Sequence, residues 1–140
     1  MIHLTTGDLM LDDGTVLKRH ADETTLLKQL RLRNLRLEEG IRHDEYASYS
    51  IRGAFINQRP AIVGVTFETG VLTSIDIVED SSPDKGWGDW SEEKEHDRKR
   101  RHDEWLHQDL GPPPYDFEWG RIASFYDART CNSVIPVRCN

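Results

Sequence analysis

Ala61-Ile62-Val63-Gly64-Val65-Thr66-Phe67-Glu68, Thr69-Gly70 and Val71-Leu72-Thr73-Ser74-Ile75-Asp76-Ile77-Val78 decide the fold. In the first run Val63, Val65 and Phe67 point one way and Ile62, Gly64 and Thr66 the other, which is the alternation of a strand. Thr69-Gly70 supplies a tight turn. The second run alternates Val71, Thr73, Ile75 and Ile77 against Leu72, Ser74 and Asp76. Upstream, Tyr46 to Ile51 is rich in strand formers, with Tyr49 and Ile51 on one face, and Ala54-Phe55-Ile56 continues it or bends at Gly53. Sequential strands joined by short turns predict an antiparallel meander.

Working outward, the spacing predicts a helix from Asp22 or Thr24 to Glu38, with Leu26, Leu27, Leu30, Leu35 and Leu37 on its apolar face and Gly40 as the stop signal. Before it, Ile2 to Leu17 reads as two short extended pieces around Asp13-Gly14. After the meander, residues 79–90 read as an acidic loop, and Ser91 to Leu110 as a second helix capped by Asp89 or Ser91 and stopped by Gly111 and Pro112-Pro113-Pro114. Trp119 to Tyr126 and Ser133 to Arg138 are two more strands; Pro136 cannot donate to a ladder, which predicts an edge position or a bulge. The sum is β-β-α-β-β-β-α-β-β, an α+β domain with two helices on one face of an antiparallel sheet. Its 140 residues fit a single domain over 1–140.

The second helix is unusually polar. Between Ser91 and Gln108 only Trp105 and Leu106 are strongly apolar, so no broad stripe can hold it. The expectation is anchorage at its ends, through Trp87, Trp90, Trp105, Leu106 and Leu110, with Glu95–Lys99 and Asp97–Arg101 pairs in the middle.

Composition excludes several functions. Eighteen Lys and Arg stand against 25 Asp and Glu, a net charge of −7, with a pI near 5.3 and a mean hydropathy of −0.67. A membrane span is not expected, nor is nucleic-acid binding, because Arg98-Lys99-Arg100-Arg101 is flanked by acids and spread around a helix. Met1 to Asp8 shows no export signal, so Cys131 and Cys139 are expected as reduced thiols in a cytoplasmic protein.

Catalytic signatures are sparse. There is no G-x-S-x-G elbow, phosphate loop or dinucleotide fingerprint, and His102 and His107 lack HEXXH spacing. A hydrolase or metal-dependent enzyme would have to draw on His96, His102, Asp103 or Asp116. Neither a cofactor nor a metal is expected. The acidic bias is local: residues 76–97 hold nine acids against Lys85 and Lys94, whereas the last twenty residues hold Asp127 against Arg121, Arg129 and Arg138. A negative pole studded with indoles suits a basic protein partner. The expected partner-binding residues are Asp80, Asp84, Trp87, Asp89, Trp90, Glu92 and Glu93.

Trp87-Gly88-Asp89-Trp90-Ser91-Glu92-Glu93-Lys94-Glu95, Arg98-Lys99, His102-Asp103, Trp105-Leu106, Gly111, Tyr115, Trp119-Gly120, Ile122, Ser124, Tyr126-Asp127, Ser133 and Ile135 together resemble a group of small bacterial proteins, some similar to immunity proteins of polymorphic or secreted toxin systems. The resemblance covers about residues 87–138, with an echo at Gly14-Thr15 and Tyr46–Tyr49. It implies a non-enzymatic binder, monomeric or homodimeric, that neutralises a cognate toxin.

Overall fold

The structure, a computed structural model, describes residues 2, 6–33, 35–80 and 91–139. The chain runs through β1 (Leu9–Met10), β2 (Val16–Leu17), α1 (Glu23–Arg31), β3 (Arg36–His43), β4 (Tyr46–Ile56), β5 (Arg59–Glu68) and β6 (Val71–Glu79). It continues through α2 (Glu92–Leu110), β7 (Tyr115–Phe117), β8 (Gly120–Ile122), β9 (Phe125–Asp127) and β10 (Asn132–Cys139). β1 and β2 form a small hairpin, and the other eight strands form one sheet in the order β3-β4-β5-β6-β10-β8-β7, with β9 also on β10. The named pairings are all antiparallel.

The meander is present as expected, and its register builds the core. Ile51, Val63, Ile77 and Ile135 form one cross-strand row, and Tyr49, Val65, Ile75 and Val137 the next. All eight are buried. One departure lies in β6. Thr66 pairs with Ser74 and Phe67 with Leu72, so Thr73 is an extra residue that shifts the alternation. Leu72 therefore joins the core beside Ile75 and Ile77, and Val71 and Thr73, which the plain alternation put on one face with Ile75 and Ile77, do not.

α1 is shorter than the leucine spacing predicts. Asp22 caps it by accepting from the Thr25 N–H at 3.0 Å, and Leu26, Leu27 and Leu30 complete its buried face. It ends at Arg31, and Leu35 and Leu37 pack against the core from the segment entering and forming β3. Gly40 is thus no helix stop. It lies at the β3 bulge, where a Cβ would stand 2.7 Å from Ser48 Oγ and 3.2 Å from its carbonyl oxygen.

The C-terminal strands also depart from expectation. The predicted Trp119–Tyr126 strand is broken at Ala123-Ser124 into β8 and β9, and β7 precedes it. β10 is no edge strand: it lies between β6 and the β8/β9 pair. Ala123 N–H donates to Pro136 O at 3.2 Å. Because N–H and C=O of one strand residue share a side, the donor that Pro136 lacks faces the break between β8 and β9.

Both helices meet the buried sheet face. Tyr49 Oη donates to Glu23 of α1 at 3.0 Å, and Trp105 and Leu106 of α2 converge with Ile56, Ile77 and Ile135. Among the described residues no helix is long and apolar enough to cross a membrane. Cys131 and Cys139 are thiols, with no disulfide between them.

Candidate functional site

α2 is held by a polar seam along its middle as well as by the expected anchors at its C-terminal end; Trp87 and Trp90, the expected anchors at the other end, lie outside the described residues. Glu95 is buried. It accepts the Ser133 backbone N–H at 2.9 Å, while Ser133 Oγ donates to the Glu95 carbonyl at 2.5 Å. Arg98 donates to the same carboxylate at 2.6 Å. One turn on, Arg101 Nε meets Glu79 at 2.9 Å, and the Glu79 backbone N–H donates to His102 Nε2 at 3.0 Å. The expected Glu95–Lys99 and Asp97–Arg101 pairs are replaced by Glu95–Arg98, Lys99–Asp103 and Asp97–Arg100. A buried carboxylate with a cation and a backbone donor is a low-cost arrangement, because both its charge and its lone pairs are satisfied. The C-terminal anchors do contribute: Trp105 and Leu106 are buried.

His102 belongs to this seam. It is fully buried. Burial first, then the neighbouring Arg98 charge, holds its pKa down to about 4. Its acceptor nitrogen is engaged by the backbone, so it is poorly placed to act as a base. The other candidate enzymatic groups are dispersed. His96 meets Tyr126 with ring centroids 4.6 Å apart and planes tilted by 35°, and lies 3.4 Å from Glu92. Asp103 pairs with Lys99 at 2.9 Å and Asp116 with Arg121 at 2.6 Å. The structure gives each of the four a different partner. Among the described residues no three His, Cys, Asp or Glu side chains gather as a metal site.

Of the expected partner-binding residues, Asp84, Trp87, Asp89 and Trp90 lie outside the described residues. Asp80 is half-buried just beyond β6, its N–H donating to Pro60 O at 2.9 Å. Glu92 and Glu93 are exposed in the first turn of α2, where Ser91 is the cap. The negative pole is less bare than its composition suggests. Asp76, Glu79, Glu95 and Asp97 each pair with an arginine, at 2.9, 2.9, 2.6 and 3.0 Å. What remains toward solvent among the described residues is centred on Asp80, Glu92 and Glu93.

Asp80 leads to a groove of about 730 Å³ on the uncovered side of the sheet. Its floor is the outward row Ser50, Asp76 and Pro136, with Ile62 and Val78 beside it. Its far wall is β9 and the following turn, where Phe125 is 49 % exposed. Arg52, Arg98, Arg129 and Arg138 also line it. Tyr126, between the lining residues Phe125 and Asp127, meets the His96 ring of α2 at a tilt, so the Glu92 turn lies behind this wall. Phe125 and the arginines were missed in the sequence, although Ile62 and Val78, apolar residues on the polar side of their strands, were a legible signal. They sit directly across from each other.

No family model, curated protein or solved structure matches this chain. The functional reading therefore rests on the groove and the charges around it.

Proposed function

We propose that the chain is a non-enzymatic protein-binding domain, and that a basic partner docks on the uncovered sheet face and its acidic rim. The groove carries the reading. A solvated sheet face is ordinary in antiparallel folds, but this one joins an apolar strip, Ile62, Val78 and Val134, to a half-exposed Phe125 and several arginines. Aromatic and arginine side chains around an apolar centre are the composition of protein interfaces. Asp80 on the wall and the exposed Glu92 and Glu93 in the first turn of α2, on a chain of net charge −7, favour a cationic partner. The resemblance of residues 87–138 to immunity proteins gives that partner a class, a toxin domain whose basic cleft would be occluded, with Trp87 and Trp90 as further contacts.

The test uses the product of the reading frame beside the one encoding this chain, titrated calorimetrically at two salt concentrations. Tight binding that weakens with salt, and that falls at least tenfold in Phe125→Ala and in Asp80→Arg, supports the reading. Binding indifferent to both substitutions overturns the assignment of the surface, and the lack of any binding overturns the assignment of the partner.

A further inference from the structure

Away from the groove, the cations of this acidic protein are sharply segregated. Eleven Lys and Arg side chains pair with carboxylates: Arg36, Arg42, Arg52, Arg59, Arg98, Lys99, Arg100, Arg101, Arg121, Arg129 and Arg138. Lys18, Arg19, Lys28, Arg31 and Arg33 have no such pair among the described residues, and all five lie between the end of β2 and the turn that follows α1. Three of them, Lys18, Arg19 and Arg33, line a pocket of about 610 Å³ between that segment and the helix, together with His20. That volume lies within the range of small-ligand sites.

The pocket wall is fixed before any ligand arrives. Lys18 to Ala21 make a turn closed by Ala21 N–H to Lys18 O at 3.0 Å. His20 N–H donates to Leu72 O at 3.2 Å, Leu72 N–H returns to Ala21 O at 2.8 Å, and Arg19 N–H is held by Asp8 at 2.9 Å. His20 occupies the third turn position with φ 63°, where glycine sits with less strain. Its imidazole is thus carried on the wall at a cost in backbone energy. Asp22 is the lining carboxylate, and its oxygen is engaged by the Thr25 N–H and hydroxyl, both at 3.0 Å. Arg33 also donates to the Asp13 carbonyl at 3.0 Å and its charge acts on the Asp13 carboxyl, so three cations stand against two carboxylates and one positive charge is left to be balanced. The opposite wall includes Leu26 and Leu32, the latter 80 % exposed.

We propose that this pocket binds a small molecule bearing a phosphomonoester on an apolar or ring-shaped body. A phosphate group brings negative charge and three acceptor oxygens, so it can meet Lys18 and Arg19 together, where a carboxylate offers only two oxygens. Arginine and lysine supply charge-assisted donors to its oxygens, and Leu32 receives the body of the ligand.

Phenyl phosphate is the probe, with phenol and inorganic phosphate as the two half-ligands, read by amide chemical shifts in the intact chain. Saturable shifts centred on Lys18–Ala21 and Arg33 are expected, tighter for phenyl phosphate than for either half. Lys18→Ala/Arg33→Ala should weaken binding tenfold or more. Lys28→Ala/Arg31→Ala removes the same charge outside the pocket and should leave affinity within about twofold. Equal losses in the two double variants would reduce the effect to general attraction and overturn the site. Shifts that never saturate, or that centre elsewhere, would overturn it as well.

Discussion

Acidification should release α2 through His102. The unfolded chain takes up a proton on this imidazole near pH 6.5, but the folded chain does so only near 4, because the ring is buried, faces Arg98 and accepts the Glu79 N–H. The unfolded state therefore binds more protons throughout that window, and stability must fall as pH falls through it. The contribution is complete above pH 6.5 and gone below 4. At about 1.4 kcal/mol per pH unit the gap amounts to roughly 3 kcal/mol, most of it lost between pH 7 and pH 4.5. Against a typical domain stability of roughly 5–15 kcal/mol, that is a substantial share. Urea melts at pH 7, 5.5 and 4.5 measure it, with the wild type compared to His102→Gln, whose amide oxygen can take the place of Nε2 but does not titrate. The variant should lose about 1–2 kcal/mol at pH 7 through imperfect packing and should show a much flatter slope down to pH 4.5. A variant that tracks the wild-type slope would refute the argument. The carboxylates contribute lower down: Asp127, held low by the Arg129 backbone N–H, and Glu38, held low by its hydrogen bond from Arg52, lose their pairing only as pH falls below the ordinary carboxylate range.

Glu95→Ala should cost about 3–5 kcal/mol in a denaturant melt, because it strands Arg98 and the Ser133 N–H in the interior; Lys99→Ala, which removes only a surface pair, should cost less than about 0.5 kcal/mol. Trp105→Ala should cost about 3–5 kcal/mol through the cavity it leaves, together with the loss of its hydrogen bond to Asp109 at 2.8 Å and of the Arg59 contact over its ring. Gly120→Ala should prevent β8 from closing on β10, since a Cβ there would lie 1.9 Å from Arg138 O; a large fall in melting temperature is expected.

The meander was legible because Val63, Val65 and Phe67 alternate cleanly and every one of them is buried. The overlong α1 arose because Leu35 and Leu37 fit a helical spacing and a strand face equally well; what separates the readings is the pairing of β3 with β4, a contact remote in sequence. β10 misled for a related reason. Pro136 does lack a donor, but the gap it leaves is met by a break in its neighbour, which no local pattern announces. α2 is the instructive case. Its polarity was read correctly, and its burial was not, since a Glu or His in a charged helix carries no sign of whether Ser133 or the Glu79 backbone will meet it. The groove left a fainter trace, Ile62 and Val78 on the wrong side of their strands.

The two ends of the large sheet bear on how copies of this protein behave when crowded. β3, at one end, exposes Arg36, Glu38, Glu39 and Arg42 and is kinked by its bulge near Gly40, and β7, at the other, is three residues long. A charged, bent ribbon and a stub both make poor templates for a further strand. Concentrated solutions should accordingly resist fibre growth, and straightening β3 by removing its bulge would be the change that invites it.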